Sequence, residues 1–232
     1  KQADMSKDAE RVYKKGLKKF PESGPLYNEL GDLQWQQKNF EAIKQWEKGI
    51  ETDPSYSKNY YNAAKYYYLT TDKVWSLIYG EIFINMEPLS NKTPEIKEIL
   101  LQGYKKLFSD ANLETAYKDK NPFLKSYLKS MNEQSSIAAL GINPETLSMI
   151  RTRFILAWFK DGKPPYSFKL FNYQQQLLRE GIFEAYNQWI FGSVQNLSAY
   201  QTWVNTHPDE YKSFLNFQKG RIFKIPVKEY YH

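Results

Sequence analysis

Apolar residues recur along this chain at intervals of three and four, the spacing that buries one face of a helix. Over 93–108, Ile96, Ile99, Leu100, Tyr104 and Leu107 form such a stripe. Thr93-Pro94-Glu95 opens it in the order N-cap, first-turn proline, first-turn acid. Further on, the pattern predicts helices over 122–139, 144–160, 168–180, 182–193, 197–206 and 208–218. The breakers between them include Gly141-Ile142-Asn143-Pro144 and Asp161-Gly162-Lys163-Pro164-Pro165. Periodicity lapses between Ser109 and Asn121, which predicts a linker over 111–121 and a boundary near residue 120. In the tail, 220–232, Ile222, Phe223, Ile225 and Val227 around Pro226 predict extended chain lying on the helices.

The first 90 residues repeat themselves. Ala9, Tyr13, Gly16 and Pro21 return as Ala42, Trp46, Gly49 and Pro54, each 33 positions on. A looser copy, Ser76, Gly80, Phe83 and Pro88, follows 34 positions later, with small and aromatic residues exchanged at Gly80 and Phe83. Small residues let two helix backbones approach, aromatics fill the space beside them, and proline ends the second helix. Asp53-Pro54 followed by Ser55 or Ser57 reads as such a turn with a helix cap.

This grammar resembles the tetratricopeptide repeat (TPR), a helix-turn-helix module, and Tyr27, Leu30, Gly31, Phe40, Ala42, Trp46, Gly49 and Pro54 carry the resemblance. Gln34 stands where the family has Tyr, Gly49 replaces Ala, and the step from Gly31 to Ala42 is one residue short. The resemblance covers about residues 6–88. It implies an all-α fold: a right-handed superhelical array of antiparallel helix hairpins over 1–110 with its capping helix. An irregular helical region, 122–219, and the tail, 220–232, follow. The runs 74–88, 171–192 and 217–226 are similar to exported bacterial TPR proteins, which implies an exported or periplasmic setting, with a cytoplasmic one as the alternative.

Composition narrows the chemistry. The chain has 232 residues, 41% hydrophobic and 25% charged, which argues against disorder. Its longest apolar run, Phe154 to Phe159, is far short of the ~20 residues needed to cross a bilayer. The chain opens on Lys1, as expected of a trimmed or processed product. With no cysteine and two histidines, His207 and His232, thiol chemistry is excluded and a metal site has little to use. No phosphate loop, dinucleotide fingerprint or nucleophile elbow is present, so no cofactor is expected. The net charge of +6 comes mainly from lysine; the five arginines do not make a nucleic-acid reader.

What remains is binding. By the TPR resemblance, the first helix of each repeat lines the inner face of the array. That face would present Asn28, Asp32 and Trp35, then Lys58, Tyr61, Lys65 and Tyr68, to a protein or extended peptide. Asn28 and Asp32 depart from the lysine and asparagine with which the family clamps chaperone tails, so that specificity is not implied. The expected role is therefore a non-catalytic interaction module or scaffold. The alternatives are a weak anionic-polymer binder and a helical enzyme acting on an envelope polymer, assembled from Glu145, Asp161, Glu180 and Glu184.

Overall fold

The structure is a computed structural model that describes residues 2–109, 113 and 121–232, with side chains from Ser6 onward. The predicted linker, 111–121, and the boundary near 120 fall almost wholly outside these residues. All regular elements among the described residues are helical, and none of these helices is long and apolar enough to cross a membrane. The chain divides into two compact units, Lys1–Thr93 with Lys224–Tyr230, and Pro94–Phe223 with Tyr231–His232.

The first unit contains α1 (Gln2–Lys19), α2 (Gly24–Gln36), α3 (Ala42–Thr52), α4 (Ser57–Tyr68) and α5 (Lys73–Met86). Each helix packs on the next, and α2 also touches α4. Ser23 caps α2 by accepting from the Leu26 amide at 3.4 Å. The repeated small residues lie where backbones meet. A Cβ on Gly31 would run into the indole of Trp46, and one on Gly49 into the amide of Asn59. Trp46 is itself buried.

The Asp53-Pro54 turn ends α3 and closes onto the start of α2. The Gly24 amide donates to Asp53 Oδ2 at 3.2 Å, and Asn59 Nδ2 donates to the Gly24 carbonyl at 3.1 Å. The expected Ser55 or Ser57 cap is not used: Tyr56 holds the N-cap place without a side-chain bond. Ser57 donates instead to Glu87 at 2.8 Å. α5 is buried continuously from Val74 to Asn85, as its nearly unbroken apolar sequence requires.

The second unit begins with α6 (Thr93–Ser109), of which Thr93 belongs to the first unit. It continues through α7 (Pro122–Asn132), α8 (Ser135–Ala138) and α9 (Pro144–Trp158). A 3-10 turn at Lys160–Gly162 leads to α10 (Lys169–Arg179) and α11 (Phe183–Asn187). A π-helical turn at Gln188–Gly192 precedes α12 (Ser193–Gln195), α13 (Leu197–Thr206) and α14 (Pro208–Lys219). α9 is the hub, packing on α7, α8, α10, α11 and the π turn. A reciprocal capping box between Asn143 and Thr146, with Pro144 in the first turn, fixes its start.

Around α9, Phe123, Phe154, Trp158, Phe168 and Phe171 form a buried aromatic core, with the closest ring centroids 4.9–5.9 Å apart. On its other side Arg151, 1% exposed, donates to Asn187 at 2.5 Å and lies among the rings of Phe183, Tyr186 and Phe191. Two predicted helices are interrupted. The one over 122–139 breaks at Glu133–Gln134, where Ser135 turns its hydroxyl onto the Asn132 carbonyl. The one over 182–193 widens into the π turn, which carries the buried Trp189, Ile190 and Phe191. The tail beyond Lys219 is non-helical; Tyr231 stacks on Phe123 at 4.7 Å.

Two consequences can be measured. Gly31→Ala forces Trp46 or the α2 backbone to shift, and overpacking of this kind costs about 1–3 kcal/mol. Urea unfolding of the variant should show that loss, and an unchanged midpoint would mean that the α2–α3 approach is not tight.

Lys97, 8% exposed, holds its ammonium 3.8 Å from the centre of the Trp189 ring. Burial pushes it down to about 7 from 10.5. Between those two values the unfolded chain binds a proton that the native chain does not. Stability therefore rises with pH across this window, and the gain is absent below it. Lys97→Met should flatten that rise and stabilise the protein at pH values below the window; parallel pH profiles for the two proteins would contradict this.

Candidate functional site

In the first unit, α2 and α4 are joined by a polar network. Asp32 accepts from the Trp46 indole at 3.1 Å, from Asn62 at 2.7 Å and, on its other oxygen, from Asn28 at 3.2 Å. Asn62 also donates to Asn28 Oδ1 at 3.0 Å. Burial raises the Asp32 carboxyl above its usual 3.8, and the neighbouring Glu29 charge adds to this. The Trp46 and Asn28 donors, and the charge of Lys92, pull in the opposite direction. Asn28, only 1% exposed, supports the face from beneath and does not stand upon it.

Beside this network is a tyrosine flanked by two ammonium groups. Lys65 donates to the Tyr61 hydroxyl at 3.0 Å, and the Lys92 ammonium lies 4.2 Å from the centre of the same ring. Phe83 backs Tyr61 with centroids 5.3 Å apart, so the ring is held by α5, and Tyr61 is itself buried. Trp35 belongs to a neighbouring aromatic group. It is 37% exposed and meets Phe40, Trp46 and Tyr66 at 5.8, 6.0 and 5.9 Å. Phe40 is more exposed still.

The structure thus brings together Asn28 with Asp32, and Tyr61 with Lys65, while Trp35 joins the first pair through Trp46. Lys58 is exposed at the start of α4, and Tyr68 is half-buried at its end, where its carbonyl accepts from Lys73 at 3.1 Å. Sequence reasoning missed Asn62 and Lys92. Asn62 is a polar residue one place off the predicted stripe of α4, and Lys92 lies in the loop after the last repeat-like proline.

The second unit contains a cleft of about 430 Å³ lined by Ser148, Met149, Thr152, Arg153, Leu178, Gly181, Phe183, Glu184 and Glu210. α9 supplies the hydroxyls and Arg153, while the acids come from α11 and α14. Glu210 accepts from the Ala185 amide at 2.9 Å and so caps α11, whose own N-cap, Ile182, cannot. Glu184 accepts from the Trp203 indole at 3.3 Å. Burial raises the Glu210 carboxyl, and the Glu184 charge raises it further, against the Ala185 bond and His207.

Of the four acids considered from sequence, Glu184 alone lines this cleft; Glu145, Asp161 and Glu180 are exposed, the last 3.6 Å from Arg221. Its companion acid, Glu210, sits in the first turn of α14, where the sequence shows an ordinary dipole-facing carboxylate. His207 stacks on Trp203 with centroids 4.6 Å apart at the end of α13, Nδ1 lying 3.0 Å from the Trp203 carbonyl. Among the described residues no group of three His, Asp or Glu could hold a metal ion.

Comparison with family models, with curated proteins and with solved structures finds no match. The functional reading therefore rests on these two places.

Asn62 is the shared donor of the α2–α4 network, so Asn62→Ala leaves Asp32 and the buried Asn28 carbonyl short of a hydrogen bond. A loss of about 1–3 kcal/mol is expected. Denaturant titration of Asn62→Ala beside Asn62→Asp, which replaces the donor with a second negative charge, checks this. The aspartate variant should be the worse of the two, and equal stability would show that the network does not couple the helices.

Proposed function

We propose that this chain is a non-catalytic protein-interaction module. In this reading α1 to α5 form a TPR-like array, and the exposed side of α2 and α4 receives an extended segment of a partner protein. The observation that carries it is the pair of ammonium groups of Lys65 and Lys92, held at the buried ring of Tyr61, which Phe83 backs. Two cations fixed by a buried ring suit a peptide that brings an acidic group to them. The partly exposed Trp35 and Phe40 supply the apolar part of the same reading.

Rigidity supports the proposal too. Asn28, Asp32, Asn62 and Trp46 bond one another, so the helices that would carry the peptide are fixed before it arrives. Preorganisation of this kind lowers the entropy cost of binding.

The test is selection of a random peptide library against the intact chain, followed by titration of the enriched peptides. Acidic-aromatic sequences should be enriched, and Tyr61→Ala with Lys65→Ala should weaken them by about tenfold or more, the scale of one or two lost charge-assisted contacts. Enriched peptides that bind the double variant as tightly as the parent would place the interaction elsewhere.

A further inference from the structure

We infer that the cleft between α9, α11 and α14 is a binding site for a short zwitterion: an amino acid or dipeptide with apolar side chains. Its wall chemistry is divided. Arg153 stands on α9, and it makes no ion pair or hydrogen bond among the described residues. The carboxylates of Glu184 and Glu210 come from other helices, and each has one oxygen engaged by a neutral N–H donor. Neither acid is in an ion pair among the described residues.

A ligand ammonium fits the acids and a ligand carboxylate fits the guanidinium. A dianion would meet Glu184 and Glu210 with like charge, and an uncharged ligand would make no charge-assisted contact with any of the three groups. Met149, Leu178 and Phe183 supply the apolar surface of the same cleft. Ser148 adds a hydroxyl oxygen that is buried and has no hydrogen-bond partner among the described residues. At about 430 Å³ the cleft lies at the small-ligand end of the usual range, too small for a folded partner.

The architecture keeps the site open. Gly181 has φ of 70°, and a Cβ placed there would meet nothing within 4 Å. This left-handed residue turns the chain from α10 into α11 and brings Leu178, Phe183 and Glu184 to one rim. Glu210 both caps α11 and faces the cleft, so the acid wall is built by the bond that positions α11.

The test is calorimetric titration of the intact chain with leucine, leucyl-leucine, N-acetyl-leucine and leucinamide. Saturable binding of leucine or of leucyl-leucine is expected, and the tighter of the two identifies the source of the zwitterion. N-acetylation, which removes the ammonium, should weaken binding about tenfold or more. Glu184→Gln with Glu210→Gln should do the same, since glutamine keeps the acceptors for Trp203 and Ala185 and removes only the charge. Arg153→Gln should erase the preference for leucine over leucinamide, a change in selectivity that general loosening of the fold does not produce. Absence of saturable binding by both zwitterions overturns the inference, as does binding of N-acetyl-leucine at parent strength. These outcomes are independent of the peptide-binding face on α2 and α4.

Discussion

The first unit depends on one close approach, the indole of Trp46 laid against Gly31. There is no room for a Cβ between them. The small residue sets the distance between α2 and α3, and the bulk of the indole sets where along α2 the contact falls. Because the indole N–H ends on Asp32, the same contact fixes the rotation of α2. Asp32 then accepts from Asn62 and so hands that orientation to α4. A packing constraint between two neighbouring helices is in this way passed to a third by hydrogen bonds.

That distinction explains what could be read from the sequence. Steric constraints leave periodic marks. Ala42, Trp46, Gly49 and Pro54 repeat Ala9, Tyr13, Gly16 and Pro21 at a fixed spacing because helix hairpins of similar size must approach and stop at similar places. Helix positions in the second unit were legible for the same kind of reason, from apolar periodicity and strong caps such as Asn143-Pro144. The π turn was not legible, since Gln188–Gly192 has the composition of an ordinary buried helix and differs only in its bonding.

Polar pairing leaves no such mark. Asn62 reaches Asp32 and Asn28 across 30 and 34 residues, and nothing in its local sequence separates it from a solvated asparagine. Lys92 lies near Tyr61 only because α5 returns the chain to α4. Of the seven residues picked for the face, Asn28 and Tyr61 are buried and support it from beneath, Tyr61 by accepting from Lys65. The cleft was less legible still. Glu184 could be named as one acid among many, but its pairing with Glu210 requires α14 to pack on α11.

The buried polar groups of the two units illustrate different physical solutions. Asp32 is half-buried, and three neutral donors offset the desolvation that raises its carboxyl. Lys97 is more deeply placed, over an indole, and burial shifts its proton affinity downward. Arg151 cannot lose its proton, so its environment must accommodate the charge, and Asn187 and the rings of Phe183, Tyr186 and Phe191 are among the groups around it. The same low-dielectric cost thus meets a donor network, a titrating amine and a guanidinium set among an amide and aromatic rings. Which one appears is decided by whether the group can give up its charge and by what the adjoining helix presents to it.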